Sequence, residues 1–338
     1  MSSSQPAAPS PAPVIQLIEA FRRSQAMFTA TELGIFDLLH GGPRPLAQLA
    51  EQTQTNPEAL ARLLALCINL GLLSKQESTY ANTDLSQQYL AAQSPASVAG
   101  YVIYSRRALW HLWSNLPDAI REGTNRWEQT FGGQGELFSH YYKTEADKRR
   151  FLLGMHAFGL ISSPQITTAA DLSPFTHLVD LGGATGHLAK AAVERFPHLR
   201  ATLFDLPECI PLAQEMLAGS QVETVGGDFF RDELPAADLF ALGRILHDWT
   251  EAKIAVLLKK IHAALPAGGG ILICEKLIDT SGVGPTWALL QDLNMLVATE
   301  GRERTFEEYR QLLEAAGFHS ITAYVLPESP LDAVLARK

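Results

Sequence analysis

Cysteine is scarce in this chain. Cys67, Cys209 and Cys274 are the only three in 338 residues. They lie far apart and no pair has metal-ligand spacing, so free buried thiols and a reducing, cytoplasmic compartment are expected. Long apolar runs are lacking too. Nothing approaches the roughly 20 residues that cross a bilayer, so no membrane role is expected. Positive charge is in deficit: 27 Lys and Arg against 36 Asp and Glu give a net charge of −9. That argues against a nucleic-acid partner, whose footprint is a basic face. Residues 1–13 have neither a basic start nor an apolar stretch. They read as a disordered Ser/Pro/Ala-rich tail and not as a secretory signal. What remains, 46% hydrophobic and 19% charged, is an ordinary globular chain long enough for about two domains.

The N-terminal part is helical. Residues 14–39 place apolar side chains at helical spacing on several faces, from Val14, Ile15, Leu17, Ile18 and Phe21 to Leu38 and Leu39. Such a helix needs a partner surface. Gly41-Gly42-Pro43 ends it. A short helix over 46–51 follows, then one from Pro57 to about Gly71, with Asn56 as its N-cap. Leu72-Leu73-Ser74 and Thr79-Tyr80-Ala81 read as a small hairpin. Three helices and a hairpin make a winged-helix pattern, here in a stretch that is not basic, so a dimerising role is expected for residues 14–97. Residues 98–165 are helical and rich in aromatics, among them Trp110, Trp113, Phe138, Tyr141, Tyr142 and Phe158. This stretch is read as a linker that helps to line a pocket for a flat apolar ligand.

From residue 166 the chain reads as one α/β domain. Apolar strands are expected at 177–181, 201–205, 222–225, 237–242, 270–275, 319–326 and 331–336, and helices at 187–196, 209–218, 249–265 and 305–316. No helix fits between the last two strands, so they pair antiparallel. The result is a Rossmann-like, mostly parallel sheet with one antiparallel strand, whose ligands lie beyond the carboxyl ends of the strands. The first strand runs into Asp180-Leu181-Gly182-Gly183-Ala184-Thr185-Gly186. Glycine lets the backbone turn sharply and lets a ligand lie against it. Asp205 closes the second strand, where an acid can take both ribose hydroxyls. Asp228, before Phe229-Phe230, closes the third, where an acid beside an aromatic ring can hold an adenine. An adenosine-type ligand is expected. His247 follows the fourth strand and Glu275 ends the fifth. Adjacent strand ends bring acid to imidazole, which makes His247 a candidate general base with Glu275 as its orienting partner.

Gly182-Gly183-Ala184-Thr185-Gly186, Phe204-Asp205-Leu206-Pro207, Gly227-Asp228-Phe229-Phe230, His247-Asp248-Trp249 and Gly301-Arg302-Glu303-Arg304-Thr305 occur in this order. Together they resemble the S-adenosylmethionine-dependent O-methyltransferases of the hydroxyindole and plant phenolic type. Leu293–Val297 and the terminal Leu331–Lys338 are most similar to the acetylserotonin branch of that family. The resemblance implies a class I methyltransferase sheet behind an N-terminal dimerisation domain, and a homodimer. It implies S-adenosyl-L-methionine held by Gly182, Asp205, Leu206, Asp228, Phe229 and Arg244. It implies His247 as catalytic base flanked by Glu275 and Glu303, and a substrate pocket at Met155, Phe158 and Asn294. Ala184 departs from the glycine of many relatives, and its Cβ disfavours a positive φ. The expected acceptor is a hydroxyl on a small indole, phenol or polyketide-like aromatic. No metal is expected. An N-methyltransferase or a non-catalytic cofactor binder on the same scaffold are the alternatives.

Overall fold

The computed structural model describes residues 9–132 and 144–338. Phe138, Tyr141 and Tyr142 lie outside them, as does the tail up to residue 8. The chain divides into two compact units, the first ending at Arg106 and the second beginning at Arg107. The division falls inside the stretch that the sequence reads as a linker.

In the first unit, helix α1 (Ala12–Glu32) and helix α2 (Ile35–His40) share what reads as one apolar helix. Gly34 separates them at φ +70°, a left-handed conformation that glycine adopts without a Cβ penalty. The helix claims Ala12 and Pro13 from the expected tail. Strand β1 (Arg44–Pro45), α3 (Leu46–Thr53), α4 (Pro57–Asn69), β2 (Leu73–Gln76), β3 (Thr79–Asn82), α5 (Asp84–Tyr89) and α6 (Ala99–Tyr104) follow. Asn56 caps α4 by accepting the Ala59 N–H at 3.0 Å. The three strands form an antiparallel sheet in the order β1-β3-β2. Ile35, Phe36, Leu49, Leu60, Leu64 and Leu73 make the core of this unit. Val14, Ile15, Leu17, Ile18 and Phe21 of α1 are exposed.

The second unit opens with α7 (Trp110–Trp113), α8 (Leu116–Glu122), α9 (Trp127–Phe131) and the long α10 (Glu145–Ala169). Then β4 (His177–Leu181), α11 (His187–Arg195), β5 (Arg200–Asp205), α12 (Ile210–Met216), β6 (Glu223–Gly226) and β7 (Leu239–Gly243) alternate. They are followed by α13 (Glu251–Ala264), β8 (Gly270–Cys274), α14 (Thr286–Ala298), α15 (Phe306–Ala315), β9 (His319–Tyr324) and β10 (Ala333–Arg337). The seven-stranded sheet runs β6-β5-β4-β7-β8-β10-β9, with β10 antiparallel to both of its neighbours. Both faces are covered. Phe240, Leu242, Ile271 and Ile273 pack with Leu257, Leu258 and Tyr309 on one side. Leu239, Ala241, Leu272 and Cys274 pack with Ile166, Leu188 and Ala189 on the other. Successive strand residues point to opposite faces, which is why these strands read as continuous apolar runs. Winding starts at β4, moves outward to β5 and β6, then reverses to β7. The crevice is therefore at the carboxyl ends of β4 and β7.

Helix α14 lies where the sequence pattern gives none. It is apolar on most of its circumference, and Pro285 at its N-cap supplies no side-chain cap. Asp228 stands two residues beyond the end of β6 and not at its last position.

Candidate functional site

The glycine turn leaves β4 at Leu181. Gly182 has φ +69° and Gly186, which opens α11, has φ +76°. Ala184 adopts φ +54° despite its Cβ, a conformation that costs an L-residue about 1–2 kcal/mol. Its N–H donates to Oδ2 of Asp205 at 2.7 Å, and Oδ1 of Asp205 accepts the Leu206 N–H at 2.7 Å. The end of β5 thus holds the turn in shape. Burial pushes the Asp205 carboxyl above its ordinary range, against the pull of these two bonds. Phe229 borders the turn: a Cβ on Gly182 would come within 2.5 Å of Ile245 and 3.3 Å of the Phe229 ring. Phe229 packs on Phe230 at 4.9 Å and Phe230 meets Trp249 edge-on at 5.1 Å. Oδ1 of Asp228 accepts the Phe230 N–H at 2.8 Å, which shapes this corner.

Arg244 follows β7 in a left-handed conformation, φ +59°. Its guanidinium stands 5.3 Å from the centre of the Phe158 ring, and its Nε is buried without a hydrogen-bond partner among the described residues. Phe158 also packs on Trp287 at 5.6 Å. Met155 lies one turn earlier on α10. Asn294, on α14, accepts the indole N–H of Trp113 at 2.9 Å.

His247 sits in a short 3-10 turn, Leu246–Asp248, ahead of α13. Its Nδ1 is 2.7 Å from Oε1 of Glu303, with both side chains buried. A carboxylate only accepts, so Nδ1 carries the hydrogen and Nε2 is the basic nitrogen. Glu275 does not meet the imidazole. Its Oε1 accepts the N–H groups of Ile245, Leu246 and His247, at 3.2, 2.6 and 3.2 Å. Its Oε2 accepts the Tyr309 hydroxyl. The orienting partner of the ring is therefore Glu303, while Glu275 caps the turn's otherwise orphaned donors. Sequence adjacency of the strand ends could not distinguish these roles. Glu303 in turn donates its N–H to Asp292 at 3.0 Å. Gly301 lies against the His247 carbonyl, where a Cβ would overlap it.

Electrostatics favour a charged ring. Burial alone depresses the His247 pKa, but Glu303, Glu275 and Asp248 outweigh it and push it up to about 9. Burial raises Asp248 to about 6, against the pull of His247. His247, Glu275 and Glu303 come within 4.8 Å of one another, a spacing that could hold a metal ion. Glu275 spends its oxygens on four donors, however, and Nδ1 of His247 points its hydrogen at Glu303. The arrangement suits hydrogen bonding and not cation ligation.

Two further histidines tie α10 to the glycine turn and to the start of α11, with no sequence signal to single them out. His156 of α10 bonds Thr185 at 2.8 Å, and His187 of α11 bonds Ser163 of α10 at 2.9 Å. Burial, assisted by nearby cations, lowers His156 to about 4 and His187 to about 3, so both are neutral. Gly159 lies under the His187 ring, where a Cβ has no room.

Residues 113–319 match the O-methyltransferase domain and residues 15–92 the O-methyltransferase dimerisation domain. The chain belongs to the O-methyltransferase family. Acetylserotonin O-methyltransferase of Bos taurus is 42% identical over 328 residues, covering 94% of this chain and 95% of that protein. The Gallus gallus protein of the same name is 39% identical over 335 residues, covering 96% of each. The crystal structure of human N-acetylserotonin methyltransferase in complex with SAM superposes with a TM-score of 0.93 at 38% identity, covering 100% of this chain and 99% of that one. The crevice of this O-methyltransferase is thus the β4–β7 switch point, with the buried His247–Glu303 pair beside it. No helix among the described residues is long and apolar enough to cross a membrane.

Proposed function

We propose that this O-methyltransferase transfers a methyl group from S-adenosylmethionine to the hydroxyl of a hydroxyindole, with His247 as general base. The observation that carries the reading is the buried 2.7 Å contact between Nδ1 of His247 and Glu303, which leaves Nε2 as the one basic nitrogen of the ring.

The crevice fits the donor. Gly182 offers bare backbone where a Cβ would press on Ile245 and Phe229. The buried, unpartnered Nε of Arg244 suits a carboxylate such as that of an amino-acid moiety. Asp205 keeps lone pairs for ribose hydroxyls, and Leu206, Asp228 and Phe229 frame an adenine. When bound, S-adenosylmethionine supplies an electrophilic methyl on a sulfonium sulfur. The protein's task is alignment and proton removal. Phe158 and Met155 offer an apolar wall to a flat ring, and Asn294 a polar contact. Nε2 of His247 accepts the hydroxyl proton, Glu303 steadies the imidazolium that forms, and Glu275 holds the peptide that carries the ring. A phenolic hydroxyl has a pKa near 10. A base whose own pKa is about 9 is closely matched to it.

A screen with methyl-labelled donor tests this reading. Label should pass to hydroxyindole oxygen and not to the amine of an aminoindole that lacks a hydroxyl. Label on nitrogen alone would overturn it. On the donor side, Asp205→Ala should weaken S-adenosylmethionine binding by about 1.5–3 kcal/mol, the scale of a lost charge-assisted hydrogen bond. Unchanged affinity by calorimetry would remove Asp205 from the site.

The reading extends to assembly and organisation. Residues 14–97 form a winged-helix dimerisation domain, 98–165 a helical stretch contributing to the pocket, and 166–338 the methyl-donor domain. The exposed apolar row on α1, from Val14 to Phe21, supports a homodimer built through the N-terminal unit. Light scattering should report twice the 36.9 kDa chain mass. A monomer at micromolar concentration would contradict it. The three buried free thiols, Cys67, Cys209 and Cys274, suit a cytoplasmic protein.

A further inference from the structure

Glutamine 291 carries a feature that the reaction described above leaves unused. Its side-chain oxygen, Oε1, is buried with no hydrogen-bond partner among the described residues, and the residue as a whole is 5% exposed. A buried carbonyl left unpaired costs free energy that native structures avoid, so such an atom calls for an explanation.

Its place on α14 supplies one. Trp287, Gln291 and Asn294 follow one another at spacings of four and three, so their side chains neighbour one another on one face of the helix. At one end of this row, Trp287 packs on Phe158 at 5.6 Å. At the other, Asn294 binds Trp113 at 2.9 Å. Phe158 and Asn294 are both assigned to the acceptor pocket. Asp292, the next residue, accepts the N–H of Glu303 and fixes this turn of α14 beside the catalytic acid. Gln291 therefore stands on α14 between Trp287, which packs on the pocket residue Phe158, and the pocket residue Asn294, with an acceptor atom that nothing among the described residues satisfies.

We infer that Gln291 determines specificity by accepting a hydrogen bond from an N–H of the methyl acceptor, remote from the hydroxyl being methylated. The assignment rests on the hydroxyindole reading. Two groups of such a molecule share the required chemistry: the ring N–H and, in an acylated side chain, the amide N–H. A site that hydrogen-bonds a substrate group discriminates against an analogue lacking it, because its own polar atom is then left unpaired.

The test uses N-acetyl-5-hydroxytryptamine with two isosteres that remove one hydrogen without adding bulk. One is the benzofuran, with ring oxygen for N–H. The other is the ester, with oxygen for the amide N–H. The full-length enzyme should favour the parent over one of them by about 10–100-fold in kcat/KM, and that isostere names the group bound. In Gln291→Leu, and independently in Gln291→Met, this preference should fall to within about threefold of one, while calorimetry shows donor binding retained and hence a folded protein. Gln291→Glu, which keeps an acceptor oxygen, should keep the preference. Preferences unchanged in both apolar variants, or absent from the wild type, would overturn the role of Gln291 alone. Failure of every hydroxyindole to accept a methyl would instead overturn the acceptor reading, and this assignment with it.

Discussion

His247→Ala should lower turnover by roughly 10²–10⁴-fold, the usual contribution of a general base, while leaving the affinity for S-adenosylmethionine nearly intact. The split follows from placement. Apart from Arg244, the groups assigned to the donor stand on the glycine turn, on Asp205 at the end of β5 and after β6, whereas His247 stands on the turn after β7. Its ring is held by Glu303, and its peptide N–H by Glu275. Removing the imidazole leaves Glu275 still bound to the N–H groups of Ile245 and Leu246, so the turn should persist. Calorimetry for the donor and turnover with a hydroxyindole measure the two quantities. A parallel loss of both would mean that the variant had disturbed the crevice and not the chemistry.

The second large effect concerns Glu303. A base works when neutral, so the rate rises with pH through its pKa. With the ring pushed up to about 9, only about one molecule in a hundred carries neutral imidazole at pH 7. The rising limb of kcat/KM should therefore extend well above the 6.5 of an ordinary histidine. Glu303→Gln removes a negative charge but keeps an oxygen to accept the Nδ1 hydrogen. Burial then opposes fewer carboxylates, and the limb should move to lower pH. The plateau should fall by roughly 10–100-fold, because the imidazolium formed during transfer loses its closest counter-charge. Glu275→Gln should act differently. It strips part of the acceptor set from three peptide N–H groups and Tyr309, so it should lower the thermal midpoint as well as the rate. Rate against pH for wild type and Glu303→Gln checks the assignment. A limb that stayed in place would take Glu303 away from the ring.

Much of this fold is legible in the residues. The apolar runs ending in Asp180, Asp205 and Cys274 mark strands buried on both faces. The glycines after Leu181 mark the turn, and the lack of a helix between β9 and β10 fixes their antiparallel pairing. The motifs also gather the expected donor-side and catalytic residues at one end of the sheet. Other features had no local signal. Gly34 breaks a run that is apolar on both sides of it, so α1 and α2 read as one helix. Helix α14 is apolar on most of its circumference and has a proline at its N-cap, which hides its start and with it Trp287 and Gln291. The two-residue strand β1 contains Pro45, which argues locally against a strand. Glu303 holds the imidazole, the role that strand adjacency gives to Glu275. Proximity in the sheet order says which residues are near, whereas side-chain direction depends on Tyr309 and Asp292, contributed from distant parts of the chain. Ala184 shows the same point in reverse: a residue unfavourable at φ +54° is held there by Asp205, 21 positions away.

The central claim is that His247 removes the proton of the oxygen being methylated. The most direct measurement compares wild type and His247→Ala on two hydroxyindoles of similar shape. One has an ordinary hydroxyl, with a pKa near 10. The other is acidified by ring substitution so that it is already ionised at the assay pH. An oxygen that arrives without its proton needs no base. The deficit of the variant should therefore shrink from roughly 10²–10⁴-fold on the first acceptor to within a few-fold on the second. A deficit of the same size on both would contradict the account and leave His247 a role in positioning alone.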